Sequence, residues 1–172
     1  DYAGNLTLKA EGWTAVVPLR LHVWNFALPQ RNHVETAFGL NPGRVFQYHR
    51  VKTDADRRRV WDMYMQNFAE HRISPYNPTP LDPIRVKFLP EADPPRAELD
   101  FSAFDAAMQR AIEKYRFTNF RLPVEGLGGG RKDGRVEPSL VGFGEKTPEY
   151  QAMFSSYVSK LEKHLRDKGW LK

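Results

Sequence analysis

The sequence predicts an α/β fold in which helices return directly into the strands of a parallel sheet. Three observations carry this. Residues 100–123 change from an apolar period of three to four to a period of two with no linker between, so one helix feeds one strand. Three amphipathic stretches end alike, in a basic cluster followed by a short apolar run: AEHRIS, EKYRFTNF and LRDKGWLK. Residues 1–29 alternate in β fashion and show no helical pattern. Each helix-to-strand return is one unit of a right-handed β/α wind. Counting residues 34–40, the pattern predicts three strands, three helices and a fourth strand about to start at Trp170.

Taken in order, residues 1–29 predict a hairpin or the last two strands of an antiparallel sheet. Leu6 and Leu8 alternate, Gly12 breaks the run, and Leu19, Leu21 and Val23 alternate with Arg20, His22 and Trp24. Pro29 closes this part, and residues 30–33 form a linker. Residues 34–40 read as a short strand, and Asn41-Pro42-Gly43 as a turn. Residues 54–70 predict a helix capped by Thr53 or Asp54, with Val60, Trp61, Tyr64 and Phe68 on its buried side. Pro75, Pro78 and Pro80 then forbid helix and leave Ile73 and Ser74 room to be strand. Residues 84–89 alternate as a strand, and Pro90, Pro94 and Pro95 mark a loop. Asp100 is placed to cap the next helix, whose stripe is Phe101, Phe104, Met108, Ala111, Ile112 and Tyr115. In the strand that follows, Thr118, Phe120 and Leu122 face one way and Phe117, Asn119 and Arg121 the other, until Pro123 stops it. Residues 126–146 read as a loop long enough to be functional. Its glycines suggest a phosphate cradle, but no Gly-Lys-Ser/Thr is present and no helix opens directly after them. The last helix runs from the Thr147 cap and Pro148 to Lys168, with Gly169 as its stop.

Composition narrows the classes. The 172 residues are 41% hydrophobic and 13% aromatic, ample for a core. The chain has no cysteine, so disulfide and thiolate chemistry are excluded. No run approaches a membrane span and no signal peptide is visible. The opening DYAGNLTLKA begins in mid-pattern, as if a segment preceded it. The net charge is +5, and Arg57, Arg58 and Arg59 form the dense cluster. Nucleic-acid binding would need a basic stripe interleaved with exposed aromatics, whereas the aromatics here follow core spacing. No nucleic-acid partner is expected, and the cluster reads as a solvated helix face.

The motifs PLRLHVWNFALP, ETAFGL, HRISPYNPTPL, DFSAFDAAMQRAIEKY and NFRLP together resemble glycoside hydrolase family 123 and the broader bacterial group of domain of unknown function 4091. The resemblance spans nearly the whole chain. It implies a partial (β/α)8 TIM barrel, the first three β/α units over residues 30–172, preceded by the last strands of a β-sandwich over residues 1–29. It implies a retaining β-N-acetylgalactosaminidase chemistry in which the substrate's acetamido oxygen attacks the anomeric carbon. In the family the catalytic Asp-Glu pair lies on a strand that would follow GWLK, so no catalytic residue is expected within this chain. The alternative is a non-catalytic carbohydrate-binding or structural barrel domain. The implied partners are N-acetylhexosamine glycans and the remainder of the same polypeptide, with no cofactor and no metal; an extracellular or periplasmic location follows from the resemblance.

Barrel active sites form at the C-terminal ends of the strands. That places His71, Arg72, Tyr76, Asn77, Asn119, Arg121 and Glu125 as candidate substrate-binding residues. Arg and Asn grip hydroxyls, and Tyr76 or Trp24 offers a stacking face. Each has a structural alternative: His71 as a cation at a helix C-terminus, Arg72 as a surface residue. Arg121 is predicted to look into the sheet's interior, where a guanidinium must be paired. Asp82, Glu91, Asp93, Glu98 and Asp100 read as solvated or capping. Trp13, Trp24, Trp61 and Trp170 read as core. With its sheet edges open, a partial barrel is not expected to be a stable monomer.

Overall fold

The structure is a computed structural model that describes residues 1–29, 34–130 and 133–171. The chain divides into two compact units, Asp1–Gln30 and Arg31–Lys172.

The first unit is an antiparallel hairpin of β1 (Tyr2–Ala10) and β2 (Trp13–Leu21), joined by a turn in which Gly12 takes φ +70°. The register pairs Leu6 with Val17 and Leu8 with Ala15. Pairing and alternation together make one face wholly apolar: Tyr2, Leu6, Leu8, Trp13, Val17, Leu19 and Leu21 share it with Gly4, Ala10 and Ala15. Asn5, Thr7, Lys9, Thr14 and Arg20 lie on the other face. The large apolar side chains of the hairpin are exposed, Trp13 among them, and so is Trp24 beyond it. The core reading of these two tryptophans is therefore incorrect. A two-stranded ribbon has no second layer to bury them in.

In the second unit, α1 (Pro42–Tyr48) and α2 (Asp54–Glu70) precede a hairpin of β3 (Arg85–Leu89) and β4 (Arg96–Asp100). Helix α3 (Ser102–Glu113), a two-residue hairpin of β5 (Ser139–Leu140) and β6 (Phe143–Gly144), and α4 (Pro148–Asp167) follow. The partial TIM barrel is thus overturned. The described residues contain four helices and three two-stranded antiparallel sheets, and no succession of three β/α units.

The physical reasons are local. The prolines read residues 96–99 as loop and Asp100 as a helix cap, but Ala97 and Leu99 alternate with Arg96, Glu98 and Asp100. They fold back antiparallel on β3, with Ala97 fully buried. Helix α4 fastens this strand: the Ala97 N–H donates to Ser156 Oγ (3.3 Å) and Lys160 Nζ donates to the Ala97 carbonyl (2.6 Å). The expected strands at 34–40 and 117–122 do not form ladders. Between residues 34–40 and the segment after α2 there is one parallel bridge, Phe38 to Pro75. Pro75, Pro78 and Pro80 lack the N–H groups that a longer ladder would need. Residues 41–43 start α1 rather than a turn. Asn41 Oδ1 accepts the Arg44 N–H at 3.0 Å, and Pro42 occupies the first helical turn.

The sequence repeat has a different meaning from a β/α return. Helices α1, α2 and α4 end in one stop. A left-handed residue (Arg50 φ +53°, Arg72 φ +57°, Gly169 φ +69°) is followed by an apolar residue whose N–H reaches back five residues. Val51 donates to the Phe46 carbonyl (2.9 Å), Ile73 to Phe68 (2.9 Å) and Trp170 to Leu165 (2.8 Å). Helix α3 ends in a wider version, with Arg116 at φ +59° and the Phe117 N–H on the Ala111 carbonyl (3.1 Å). The stop folds each apolar residue onto the core instead of launching a strand.

Three apolar clusters form in the second unit, a small one of Leu140, Tyr150 and Met153 and two larger ones. One of the larger two packs α2 against the end of α3 through Trp61, Met65, Phe68, Ala111, Tyr115 and Phe117. Trp61, buried as expected, donates its indole N–H to the Pro78 carbonyl (3.1 Å). The other packs α3, α4 and the β3–β4 hairpin through Phe104, Met108, Tyr157, Leu161 and Leu165, and Trp170 is part-buried against it. Asp105 of α3 clasps α4 by accepting from His164 Nε2 and Lys168 Nζ, both at 2.7 Å. Partial burial pushes the Asp105 carboxyl up, but the hydrogen bonds from Lys168 and His164 outweigh it and hold it below the ordinary value of 3.8.

Two outcomes follow. Arg116→Gly relieves a left-handed arginine and is expected to raise unfolding stability by about 1 kcal/mol, whereas Gly169→Ala lowers it by about the same amount; urea melts measure both. A carboxyl lowered by folding stabilises above its unfolded pKa, and that contribution is lost as pH falls through the folded pKa. The stability gap between the parent and Asp105→Asn should therefore be full at neutral pH and close in acid, read by melts at a series of pH values.

Candidate functional site

The segment after the α2 stop is held between two others by backbone and hydroxyl bonds. Phe38 N–H donates to the Ser74 carbonyl (3.1 Å), and Tyr76 N–H to the Phe38 carbonyl (2.8 Å). On the other side, Arg121 N–H donates to the Tyr76 carbonyl (2.8 Å). Where a ladder would place further backbone pairs, hydroxyls substitute. The Ser74 N–H donates to Thr36 Oγ1 (2.7 Å), and the Thr118 N–H to Ser74 Oγ (3.2 Å). Asn119 Nδ2 closes the frame on the Thr36 carbonyl at 2.6 Å.

This frame sorts the sequence-predicted residues into structural and presenting groups. His71 is the C-cap of α2, and its Nδ1 donates to the Asn67 carbonyl at 2.8 Å, which ties the ring to the helix end. Arg72 holds the left-handed position of the stop. Asn77 folds onto its own backbone, Oδ1 accepting the Thr79 N–H at 3.0 Å. Asn119 is spent on Thr36. Arg121 does not look into an enclosed interior. It is exposed, with its guanidinium 4.9 Å from the centroid of the Tyr76 ring, which is itself 40% exposed. The argument that Arg121 must be paired inside the sheet falls with the barrel.

The residues that follow Tyr76 and Arg121 in the chain, Asn77 and Leu122, line a cleft of about 80 Å³ to which Tyr76 and Arg121 do not contribute. Its walls are Ile84, Phe104, Leu122 and Pro123, and its polar groups are Asn77, Thr79, Glu125 and Tyr157. Glu125 is exposed, and its N–H makes a long 3.5 Å bond to the Tyr157 hydroxyl. Burial pushes the Tyr157 hydroxyl pKa up; the Glu125 N–H opposes this and the Glu125 carboxylate adds to it. Tyr157 is one of the buried apolar-stripe residues of α4, and helical spacing gives no sign that its hydroxyl meets this cleft. Thr36 and Ser74 were also missed as site-building residues; single hydroxyls in short runs give no periodic signal.

The structure thus brings Tyr76 to Arg121 and Asn77 to Glu125, and leaves His71 and Asn119 as structural ties. Such an arrangement can hold a polar ligand by an aromatic face, a guanidinium and a carboxylate, and can receive a small apolar arm. Among the described residues, no three His, Asp or Glu side chains cluster as metal ligands would, and no helix is long and apolar enough to cross a membrane. The arginine cluster is spent on ion pairs: Arg57 with Asp54, Arg59 with Asp56, and Arg58 bidentate on Asp82 at 2.8 and 2.9 Å.

Comparison with known protein families, with curated proteins and with solved structures yields no match.

If Asn119 is a tie, Asn119→Leu strands the Thr36 carbonyl and is expected to cost about 1–3 kcal/mol in a denaturant melt.

Proposed function

We propose that the chain is part of a glycoside hydrolase resembling β-N-acetylgalactosaminidases, contributing sugar contacts, with the catalytic Asp-Glu pair supplied by polypeptide outside these 172 residues. The motif string HRISPYNP, LHVWNFALP and NFRLP supports the family. Two observations support the sugar-binding part: Arg121 stands over the exposed Tyr76 ring, and the residues next in the chain, Asn77 and Leu122, line a cleft with Glu125. A pyranose ring has an apolar face for a plate such as Tyr76, and hydroxyls for Arg121 and Glu125. The cleft, small and apolar-walled, takes an acetamido methyl rather than a whole ring.

The proposed reaction needs no protein nucleophile. The acetamido oxygen attacks the anomeric carbon, a carboxylic acid protonates the leaving oxygen, and a second carboxylate orients and charge-stabilises the acetamido N–H. The residues described here bind and orient; they move no proton in this scheme. The second reading, carbohydrate binding without hydrolysis, rests on the same plate and cleft.

Calorimetric titration of the chain with N-acetylgalactosamine is expected to show saturable binding, weakened about tenfold by Glu125→Gln, a loss of about 1.4 kcal/mol. Absence of binding would end both readings. For the intact gene product, release of an aryl leaving group from an N-acetyl-β-galactosaminide with retained configuration supports the hydrolase, and binding without turnover selects the second reading.

A further inference from the structure

A second cleft lies elsewhere in the same unit and shares no lining residue with the one at Glu125. It is open, about 510 Å³, and is walled by the turn after α1 and the first turns of α2. That volume falls within the range of small-molecule sites, about 300–1,000 Å³.

Its floor is apolar and aromatic. Met63 is 60% exposed there, and Tyr64 takes a 3.0 Å hydrogen bond with His49 Nε2 across it. Its rim is basic, with Arg50, Lys52 and Arg59 set against one carboxylate, Asp56. Asp56 is already engaged, accepting from Thr53 Oγ1 at 2.7 Å and from Arg59 at 3.3 Å. Arg50 and Lys52 are different. Among the described residues neither side chain has a hydrogen-bond or ion-pair partner, whereas Arg57, Arg58 and Arg59 are each paired. The left-handed backbone at Arg50 belongs to the α1 stop, but the stop explains only the backbone and makes no use of the guanidinium.

Arg50 and Lys52 flank Val51 and both line the cleft, so one multivalent oxyanion can engage the two together. Guanidinium supplies a planar fork for such a group and ammonium a point charge. An apolar, aromatic floor beside them suits the face of a ring. We propose that this cleft binds the sulfate or phosphate ester of a sugar, with Arg50 and Lys52 on the oxyanion and Met63 and Tyr64 beneath the ring. A nucleic acid would need the basic groups to continue as a stripe, whereas Arg57, Arg58 and Arg59 are each turned onto an aspartate. This proposal does not depend on the hydrolase reading.

The test is isothermal titration of the chain with N-acetylglucosamine 6-sulfate, N-acetylglucosamine 6-phosphate, inorganic sulfate, N-acetylglucosamine and a short single-stranded oligonucleotide. Saturable one-to-one binding of at least one ester is expected, about tenfold or more tighter than inorganic sulfate or the neutral sugar; the tighter ester identifies the source. The double variant Arg50→Asn with Lys52→Gln should lose about tenfold or more in ester affinity with an unchanged melting temperature, because asparagine tolerates the left-handed backbone. A Lys146→Gln control should bind as the parent does. Absence of saturable ester binding, equal binding by the double variant, inorganic sulfate binding as tightly as the esters, or an oligonucleotide binding more tightly than either ester would each overturn the proposal. None of these results bears on Glu125.

Discussion

The left-handed helix stop is the constraint on which the second unit depends. A helix end leaves carbonyls without partners, and water or a folded-back N–H must satisfy them. Here Val51, Ile73 and Trp170 do so by the same five-residue return, and Phe117 by a six-residue one. Each return also tucks its apolar side chain against one of the two larger core clusters. One local geometry therefore ends the helix, satisfies its last carbonyls and fixes the direction of the next segment. The frame of residues 74–77 begins right after Ile73, and residues 118–121 right after Phe117, so the candidate sugar site is assembled from what two stops release.

That origin explains the mixed character of the site. Segments leaving a stop run extended for a few residues, but prolines and hydroxyls keep them from becoming strands. Ser74 and Thr36 take over bonds that backbone amides would otherwise make. Asn119 is drawn into this framework and tied to the Thr36 carbonyl, while the Asn77 oxygen is taken by the Thr79 N–H. The side chains pointing away from the framework, Tyr76, Arg121 and Glu125, remain accessible to a ligand.

The helices were legible because their signals are local and redundant. Thr53 and Thr147 cap where expected, each accepting the N–H three residues on, and the α4 stripe buries Tyr150, Tyr157, Leu161 and Leu165. The repeat at EHRIS, KYRFT and DKGWL was visible too, but its meaning was not. A basic residue followed by an apolar one reads equally as a helix handing over to a strand or as a helix stop, and only the backbone angle at Arg72 or Arg116 separates them. The antiparallel β3–β4 hairpin escaped because Pro90, Pro94 and Pro95 dominate its connection, while the alternation of Ala97 and Leu99 is two residues deep. Seven site residues were placed near one another by sequence. The sorting of His71 and Asn119 into ties, and of Tyr76, Arg121 and Glu125 into presenting groups, depends on partners up to 83 positions away, which no local pattern encodes.

The N-terminal hairpin has a practical consequence. One face is wholly apolar and the other carries all its polar side chains together with Val16 and Pro18, so the hairpin is an amphipathic ribbon nine residue pairs long. At an air–water boundary or on a plastic wall it can lie down with Leu6, Val17 and Trp13 against the non-aqueous phase and lose nothing on the wet side. Bubbles, foam and bare polystyrene would draw this protein out of dilute solution, and a trace of competing detergent would keep it there.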